Sequence, residues 1–449
     1  MGKRKTKKSK GISKKEFIFN LISIIILIAI CLYYGIRSIY YYTEQNTVKT
    51  SEILADKIIS NNQITKTADG FHKEKDGYSF KGNVANNYIK FSNRIYRIMR
   101  VYDDNSIKIV SDTNDNVLIW GDDSSYKNSN LNNWLDKKES ATSGIYYDTI
   151  SNTSLLKKTS YTEDILKKSK VKTSKEKTSS FITTLTINDY VNSNGKNSYL
   201  NNGQYFWLIG NDDENSNLYV DSTGSVETSN SYESYGVRAV LTLKKDIKTT
   251  TGLGTIEDPY VVDMENNSNY IDQYVRLGND IWQVYSDKDN ILRLSLNGYI
   301  TINNQEYLSI YSKTTSEFNL TNRYNIGYYL NKTYYNSLSY KDILLDTTYH
   351  IGEISNDTGL KMDNIYSESI TCKVGLLNIF DYNKNISRTN YYYLNKTSSV
   401  GSMVYVNNNL GYLEEEKVTE PKHIVPTISI SKTLIKNGVG TIDNPYVVE

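Results

Sequence analysis

One short motif occurs twice in this chain and constrains how the chain can fold. Residues 252–262 read Gly-Leu-Gly-Thr-Ile-Glu-Asp-Pro-Tyr-Val-Val, and residues 438–448 read Gly-Val-Gly-Thr-Ile-Asp-Asn-Pro-Tyr-Val-Val. Glycines followed by an acidic or amide residue, a proline and an apolar run are typical of a turn that leads into a short strand. We therefore expect each copy of this closing motif to complete a folded unit.

The repeat extends well beyond the closing motif, at a nearly constant spacing. Six further segments recur in the same order in both copies, which is hard to obtain by chance. The sequence therefore predicts two tandem repeat domains, 70–262 and a diverged copy at 270–449, joined by a linker at 263–269. The matched segments are Tyr88–Phe91 with Tyr274–Leu277, Ile95–Ile98 with Ile281–Val284, Trp134–Lys137 with Tyr329–Lys332, Tyr199–Asn202 with Tyr393–Lys396, Tyr219–Asp221 with Tyr405–Asn407, and Val240–Leu243 with Thr427–Ile430.

Local patterns within each repeat predict a mixture of strands and helices. Strands at Tyr88–Phe91 and Ile95–Val101 form a hairpin at the start of the first repeat. A helix is expected near Leu131–Lys138 and again near Tyr328–Tyr335. Strands at both ends, with a helix and long irregular connections between them, favour a mixed α+β fold. The Lys-rich segment Leu156–Ser180 is interpreted as a solvated loop, with contact to an anionic wall polymer as the alternative.

The N-terminal region has the pattern of a membrane anchor. Residues 1–16 form a basic tail that is expected in the cytoplasm, and the apolar run from Phe17 to Ile36 meets the roughly 20 helical residues that a bilayer core requires. We predict a transmembrane anchor at 17–42 and a juxtamembrane segment with a short helix at 43–69. The rest of the chain is then expected outside the cell, held by a single pass through the cell membrane. A cleaved signal peptide is the alternative, although no small-residue cleavage site follows the apolar run.

Charge and cysteine usage narrow the class of protein further. Beyond residue 37 the chain carries 43 basic and 49 acidic residues, and this mildly acidic balance argues against nucleic acid as a partner. Only Cys31 and Cys372 occur, so no disulfide is expected outside the predicted anchor. Stability must therefore come from apolar cores, and each predicted domain is long enough to bury one.

Several landmarks of the first repeat recur in a known family. They are the segment 86–109, then Tyr199-Leu200-Asn201, Tyr205-Phe206-Trp207-Leu208, Gly236-Val237-Arg238-Ala239-Val240-Leu241 and the closing motif. Together they resemble an uncharacterised family of tandem surface domains of low-GC Gram-positive bacteria, over nearly all of 70–262 and more weakly over 270–449. The Gly-Val-Arg strand is also similar to that of C-type-lectin-like and formylglycine-generating-enzyme-like domains. This second resemblance implies an α+β fold whose first and last strands pair, and it carries little functional weight.

No catalytic motif is recognised in the sequence. The chain has three histidines, His72, His350 and His423, and none has the surroundings of a Ser-His-Asp or Cys-His arrangement. Formylglycine-generating enzymes use cysteine, and Cys372 is the one cysteine outside the predicted anchor. Glycoside hydrolysis by carboxylates alone needs two acids at a defined separation, which a sequence rich in acids neither identifies nor excludes. We therefore expect a protein that is not an enzyme.

Acid-rich turns are the candidates for a bound ion, and Ca²⁺ is the one cofactor that they suggest. The loop 112–116 resembles the start of a calcium loop, but it lacks the glycine and the distant glutamate of an EF-hand. Turn formation alone is the alternative, since Asp and Asn favour turns. The candidate metal ligands are Asp112, Asn114, Asn116, Asp212 and Asp213.

A candidate ligand site follows from the aromatic strand. Asn211, Asp212 and Asp213 come directly after the strand that contains Trp207, so they are the first choice for the rim of a ligand site. Trp207 is interpreted either as a core residue or as part of this site. Arg238 is interpreted either as the partner of a structural ion pair or as a ligand contact.

These observations predict a membrane-anchored, extracytoplasmic protein with two tandem domains and no catalytic machinery. We expect it to bind a ligand at the cell surface, which is a glycan, a wall polymer or an envelope protein. A carboxylate-dependent envelope hydrolase and a structural protein of envelope assembly are the alternatives. The sequence does not choose among the ligands.

Overall fold

The computed structural model describes residues 21–35, 51–136, 144–262, 269–354, 359–384, 388–397, 402–409 and 411–448. The chain forms two compact units, residues 1–51 and residues 52–449. In the first unit, residues 21–35 form helix α1.

Helix α1 lies within the segment for which the membrane anchor is predicted. Across the described ranges, no helix has both the length and the apolar character needed to cross a membrane. This finding contradicts the predicted transmembrane anchor at 17–42 and, with it, the predicted single-pass localisation in the cell membrane. The predicted ends of the anchor, Phe17 and Ile36, lie outside the described residues, as does the basic tail at 1–16.

Short strands dominate the first half of the second unit, residues 52–262. Its strands are β1 (Glu52–Ile53), β2 (Gly70–Glu74), β3 (Gly77–Lys81), β4 (Tyr88–Phe91), β5 (Arg94–Tyr102), β6 (Ile107–Ser111), β7 (Asn116–Ile119), β8 (Thr159–Tyr161), β9 (Ile165–Lys167), β10 (Lys170–Lys172), β11 (Thr178–Ser180), β12 (Ile182–Thr183), β13 (Phe206–Asp212), β14 (Asn217–Val220), β15 (Val226–Ser229), β16 (Ser234–Val237), β17 (Val240–Leu243), β18 (Lys248–Thr249) and β19 (Tyr260–Val261). Its helices are α2 (Leu54–Asn61), α3 (Asn130–Leu135), α4 (Ile145–Asp148) and α5 (Ile187–Asn192), with single 3₁₀ turns at Tyr126–Asn128, Thr153–Leu155 and Gly195–Asn197.

The second half, residues 269–448, has the same character. Its strands are β20 (Tyr274–Leu277), β21 (Asp280–Lys288), β22 (Ile291–Leu296), β23 (Thr301–Ile302), β24 (Gln305–Glu306), β25 (Leu308–Ser309), β26 (Thr347–His350), β27 (Ser369–Cys372), β28 (Gly375–Leu376), β29 (Tyr391–Lys396), β30 (Met403–Asn407), β31 (Leu413–Lys417), β32 (Lys422–His423), β33 (Pro426–Ser431), β34 (Ile435–Asn437) and β35 (Tyr446–Val448). A π-helical segment, Tyr329–Tyr334, joins α6 (Ile326–Tyr328) to α7 (Tyr335–Ser337), and α8 (Met362–Ile365) follows, with 3₁₀ turns at Lys341–Ile343 and Lys432–Leu434.

The two halves share the same central strand connectivity. In the first half the order is β17-β6-β5-β4, and β19 adds to β4 in parallel. In the second half the order is β33-β22-β21-β20, and β35 adds to β20 in parallel. The closing motif supplies both β19 and β35. In the second half the first and last strands, β20 and β35, pair, whereas in the first half β19 pairs with the fourth strand, β4. The predicted domain boundaries and the predicted linker stay predictions, because 52–449 is one compact unit.

The glycines of the closing motif are required by its backbone. Gly252 has a φ angle of 108° and Gly438 has a φ angle of 104°, a region that residues with a side chain rarely adopt. A Cβ atom on Gly252 would lie 2.4 Å from the Pro259 carbonyl oxygen, and one on Gly438 would lie 2.3 Å from that of Pro445. The turn therefore folds back on the strand that follows it, which explains why the two glycines and the proline recur together.

The predicted α+β class is wrong, because the described part of the chain is mostly β-sheet, with 38% strand against 18% helix. The helices expected near 131 and 328 are present but short. The segment Leu156–Ser180, interpreted as a solvated loop, contains β8 to β11. Lys168 and Ser169 join β9 to β10 with φ angles of 47° and 62°, as in the two-residue type I′ turn that suits the twist of a hairpin.

The two halves pack against each other through a shared hydrophobic core. Phe380 and Tyr382 of the second half are buried within the core of the first half. The indole Nε1 of Trp134 donates a hydrogen bond of 2.7 Å to the carbonyl oxygen of Phe380. The buried Arg94 donates through Nε to Asp272 Oδ2 at 3.2 Å. These contacts fix the relative position of the halves and therefore the shape of any cleft between them.

Candidate functional site

A cleft of about 360 Å³ lies between the two halves and is lined by both. Clefts of this size that carry a few convergent polar groups are the usual location of ligand sites. None of the described residues that line it is an aspartate or a glutamate. The lining residues used below are Asn114, Asn116, Gln204, Tyr205 and Gly236 of the first half, and Asn383, Arg388, Tyr393, Asn407 and Tyr412 of the second half.

One wall of the cleft continues into a tyrosine cluster, formed by Tyr205, Tyr219, Tyr235 and Tyr412. Tyr219 and Tyr235 stack with ring centroids 4.1 Å apart, and Tyr205 lies nearly parallel to both. Tyr412 of the second half meets Tyr205 edge-to-face at 5.0 Å. All four side chains are half-buried, so part of each remains accessible. The cluster is therefore a partly exposed aromatic surface that both halves build.

The pairing of strands explains why these tyrosines meet. Strand β13 has β14 on one side and β16 on the other, with Trp207 opposite Tyr219 and Phe206 opposite Gly236. Tyr219 and Tyr235 therefore approach each other beside Trp207, which contacts both of them edge-to-face. Trp207 itself is fully buried and donates through Nε1 to the carbonyl oxygen of Leu118 at 2.9 Å. The predicted ligand residue Trp207 thus supports the tyrosine cluster from the protein interior.

Three buried polar atoms of the cleft residues find no hydrogen-bond partner within the described part of the chain. They are Oδ1 of Asn114, Oδ1 of Asn407 and Nε of Arg388. The rest of Asn114 is well bound, because its Nδ2 donates to the Tyr205 carbonyl oxygen and its backbone N–H donates to Gln204 Oε1, each at 3.0 Å. A buried polar atom without a partner costs about 1–3 kcal/mol. Two acceptors and one donor are therefore left for water or for a ligand to satisfy.

Gly236 lets the Asn114 side chain lie against the backbone of β16. A Cβ atom at Gly236 would be 1.9 Å from Asn114 Nδ2, which is closer than any two such atoms can approach. The glycine of the Gly-Val-Arg strand is thus explained by the position of a cleft residue, and no unusual φ angle is involved.

Arg388 and Arg238 are both buried, but they differ in their surroundings. Arg388 donates through Nη2 to Asn383 Oδ1 at 3.0 Å and through Nη1 to Ser295 Oγ at 3.2 Å. Arg238 is fully buried and donates to the backbone carbonyl oxygens of Ser111, Leu200 and Asp112. Burial lowers the pKa of Arg238 to about 10, and it also lowers that of Arg388. Arg388 lines the cleft, whereas Arg238 holds the backbone together behind it.

The loop 112–116 uses its side chains for protein contacts. Asp112 pairs with Arg97, whose Nη1 lies 3.4 Å from Asp112 Oδ1. Asn116 donates through Nδ2 to the Asp381 carbonyl oxygen at 3.0 Å across the contact between the halves. In the described ranges, no three His, Cys, Asp or Glu side chains come together as a metal site. The structure thus places Asn114 and Asn116 in the cleft and Asp112 beside it, and gives each of them a structural contact.

The second predicted loop lies at the other end of β13 from Tyr205. Asp212 accepts hydrogen bonds from the backbone N–H groups of Glu214 and Ser216, as expected for a turn. Asp213 pairs with Lys167 at 3.2 Å on the exposed surface. Asn211 donates weakly to three neighbouring oxygens at 3.3–3.4 Å. The predicted rim residues Asn211, Asp212 and Asp213 are therefore not brought together with Trp207 and Arg238 in one cleft.

Residues with nucleophilic or acid–base chemistry lie away from the cleft. Cys372 is buried, donates to the Val374 carbonyl oxygen at 3.3 Å, and has its pKa raised to about 12 by burial. His423 stacks on Tyr299 with centroids 4.1 Å apart. His350 contacts Tyr366, and burial lowers its pKa. None of the described cleft residues is a histidine or a cysteine, so the cleft offers hydrogen bonding and aromatic contact.

The sequence did not identify Tyr205, Tyr412, Arg388 and Asn407 as site residues. The aromatic segment that follows Tyr205 was visible, but the contact between Tyr205 and Tyr412 depends on how the two halves pack. No family model matches the chain, and comparison with curated proteins and with solved structures finds none that is similar to it. The resemblances to surface domains and to C-type-lectin-like domains therefore stay predictions.

Proposed function

We propose that residues 52–449 form a carbohydrate-binding protein and that its ligand, a neutral glycan, occupies the cleft between the two halves. The observation that carries the proposal is the combination of the tyrosine cluster with amide-rich lining residues at one cleft. Tyrosine rings offer large, rigid faces on which the C–H groups of a sugar ring can rest. Asparagine side chains offer both donors and acceptors for hydroxyl groups.

The unpartnered atoms of the cleft fit the same ligand. Oδ1 of Asn114 and Oδ1 of Asn407 are acceptors, and a sugar hydroxyl can donate to each of them. Nε of Arg388 is a donor, and a hydroxyl or ring oxygen can accept from it. The Tyr412 hydroxyl is protonated at neutral pH and can donate a hydrogen bond, and burial raises its pKa further. A ligand rich in hydroxyl groups is therefore favoured over an apolar one.

The lining of the cleft argues against the hydrolase alternative at this location. Glycoside hydrolysis by carboxylates needs an acid on each side of the scissile bond. The described lining residues include no aspartate or glutamate, whereas they include several amides and tyrosines. Binding without cleavage is the function that this composition supports best.

A glycan panel with one variant and one matched control tests the proposal. The full chain is measured for binding to immobilised peptidoglycan fragments, N-acetylglucosamine oligomers and maltohexaose. Tyr412→Ala removes a cluster residue and is expected to weaken the best binder about tenfold or more, since a stacking aromatic contributes about 1–3 kcal/mol. Tyr232→Ala removes a tyrosine that is 56% exposed and does not line the cleft, and it is expected to leave binding unchanged.

Four outcomes count against the proposal. No saturable binding to any glycan would refute it for these classes. If Tyr412→Ala and Tyr232→Ala changed glycan affinity equally, the cleft would not be the glycan-binding site. Release of new reducing ends from a bound oligosaccharide would favour the hydrolase, and self-association without glycan binding would favour a structural role.

A further inference from the structure

The two halves also enclose a second cavity, of about 420 Å³, which shares no described lining residue with the cleft. Its lining includes residues of β21, β22 and β33, which are neighbouring strands of one sheet. Ile145, Asp148 and Thr149 of the first half lie across from these strands. The cavity is therefore built by both halves, and its chemistry is independent of the glycan proposal.

Two of the half-buried charged side chains that line this cavity have no ion-pair partner within the described part of the chain. They are Arg293 on β22 and Asp381, which follows Phe380. Arg293 donates one long hydrogen bond, from Nη2 to the Thr348 carbonyl oxygen at 3.4 Å. Asp381 accepts one hydrogen bond, from the Asn378 backbone N–H to Oδ2 at 2.8 Å. An arginine and a carboxylate thus line one cavity, and the space between them is unfilled by protein.

Neutral polar groups beside Arg293 are also left without partners. Ser429 lies directly opposite Arg293 in the pairing of β22 with β33. Ser429 is 1% exposed and its hydroxyl finds no hydrogen-bond partner among the described residues, and the hydroxyl of the buried Tyr285 lies beside Arg293. The buried Nδ1 of His350, also in the lining, is likewise unpartnered. Two hydroxyl donors therefore flank the guanidinium at a site that the protein does not fill.

Each of the other carboxylates that line the cavity is either paired with a lysine or exposed, which leaves Asp381 as the half-buried carboxylate without an ion pair. Asp287 forms an ion pair with Lys432 at 2.8 Å. Asp346 forms an ion pair with Lys373 at 3.2 Å. Arg293 and Asp381 attract each other, but no ion pair joins them among the described contacts. A bound cation alone would also face Arg293, and a bound anion alone would also face Asp381. A ligand that carries both charges satisfies both groups at once.

We propose that this second cavity binds a small zwitterion of the α-amino acid class. Its carboxylate binds Arg293 and accepts hydrogen bonds from the hydroxyl groups of Ser429 and Tyr285. Its ammonium group binds the Asp381 carboxylate. Tyr285 and Tyr382 also line the cavity and provide ring surface for a short side chain.

Calorimetric titration of the full chain tests this assignment. The probes are glycine, L-alanine, L-leucine and L-phenylalanine, each measured separately, with propionate and ethylamine as single-charge analogues of alanine. At least one amino acid is expected to bind saturably at one site per chain. Both single-charge analogues are expected to bind at least about tenfold more weakly than alanine, because each leaves one half-buried charge without a ligand partner.

Two variants and a matched control locate the site. Arg293→Gln and Asp381→Asn are each expected to weaken amino acid binding about tenfold or more. Arg276→Gln changes an exposed arginine of the same sheet, on β20, and is expected to leave binding unchanged. Thermal unfolding of each variant shows whether it is folded. If Arg293→Gln does not fold, then Asp381→Asn and the analogue series decide.

The assignment is overturned by any of three results. First, none of the four amino acids binds. Second, propionate or ethylamine binds as tightly as alanine. Third, Asp381→Asn binds amino acids as tightly as the parent. Because Tyr412 does not line the second cavity, Tyr412→Ala is expected to retain amino acid binding. A failure of the glycan proposal and a failure of this one are therefore distinguishable.

Discussion

The two halves of the protein reach the same local arrangement with arginines from different places in the sequence. Tyr96 and Trp282 occupy one repeat position, and each pairs with the last residue of the next strand, Ser111 on β6 and Leu296 on β22. In the first half, Arg238 donates through Nε to the Ser111 carbonyl oxygen at 2.9 Å. In the second half, Arg388 donates through Nη1 to the Leu296 carbonyl oxygen at 2.5 Å.

The two halves differ in which segment of the chain carries the arginine that donates to this carbonyl oxygen. Arg238 comes from the short link between β16 and β17, where the second copy has Val425. Arg388 comes from the segment before β29, at the edge of the cleft. All three donating nitrogens of Arg238 bind backbone carbonyl oxygens, whereas Arg388 keeps Nε free of any described partner. The fold requires a buried donor here, and the second half supplies one that also faces the cleft.

The largest expected effect separates these two arginines. Arg238→Ala removes the arginine donor from the carbonyl oxygens of Ser111 and Leu200 and leaves that of Asp112 with the Asn202 side chain alone. We expect it to lower the free energy of unfolding by about 3–5 kcal/mol. Arg388→Ala is expected to cost about 2 kcal/mol, because it leaves fewer backbone acceptors unsatisfied, and to weaken glycan binding about tenfold. Urea unfolding and glycan titration of both variants measure the two effects.

Arg276→Ala is the control for this pair, since Arg276 is exposed on β20 and is expected to change stability by less than about 0.5 kcal/mol. The proposed difference between the two arginines is contradicted if both buried-arginine variants lose the same stability and neither loses glycan affinity. It is reversed if Arg238→Ala is the variant that binds poorly while remaining as stable as the parent.

A slightly smaller effect on stability is expected from glycine substitutions in the two copies of the closing motif. Gly252→Ala and Gly438→Ala force a Cβ atom against a carbonyl oxygen at a positive φ angle, and we expect losses of about 2–4 kcal/mol. The first copy should lose more, because Gly252 is buried against the buried Tyr260, whereas Gly438 is exposed. Thermal unfolding ranks the two variants. A larger loss at Gly438 would contradict the structural ranking.

The closing motif also shows what a sequence of this kind can predict. Its glycines and proline act within a few residues of each other, so the turn and the strand after it are encoded locally and were predicted. The hairpin of β4 and β5 was predicted for the same reason, because alternating apolar residues flank a two-residue turn at Ser92 and Asn93. The strands of Leu156–Ser180 were missed, because their Lys and Ser residues carry no apolar pattern.

The residues of the cleft could not be predicted from local sequence patterns. Tyr205 and Tyr412 meet because the two halves share a core, and neither residue shows this in its own neighbourhood. Trp207 was a reasonable candidate, but its burial follows from the strands on both sides of β13. Arg388 replaces Arg238 across a break in the repeat, so aligning the two copies predicts the wrong position for the second arginine.

An effect of intermediate size is expected from two acids, Asp381 and Asp104, whose pKa values are shifted in opposite directions. Burial raises the pKa of Asp381 to about 6, whereas hydrogen bonds from Lys157 and Ser106 lower that of Asp104 to about 2. The stability that comes from neutral Asp381 is present below its unfolded pKa near 3.8 and is lost as pH rises through about 6. Asp381→Asn is therefore expected to raise the free energy of unfolding at pH 8 by about 2 kcal/mol.

Asp104 should behave in the opposite way. Its contribution is present above pH 4 or so and is lost as pH falls toward about 2. Since its side chain is largely exposed, Asp104→Asn should cost less than about 1 kcal/mol at pH 7. Urea unfolding between pH 4 and pH 8 separates the two acids. A flat difference between Asp381→Asn and the parent over that range would show that Asp381 is not held in its neutral form by burial.

The smallest expected effect concerns the two acid-rich loops, 112–116 and 211–215. A site that binds Ca²⁺ at a free concentration one hundred times its Kd would stabilise the fold by about 2.7 kcal/mol, a shift in Tm of several degrees. In the first loop Asp112 is paired with Arg97, and in the second Asp212 caps its own turn while Asp213 is paired with Lys167. Because these carboxylates already have partners, we expect millimolar Ca²⁺ and excess EDTA to give the same Tm within about 1 °C. A Ca²⁺-dependent rise that Asp212→Asn abolishes and Asp112→Asn leaves intact would assign a metal to the second loop alone, and the two loops would then differ in function as the two arginines do.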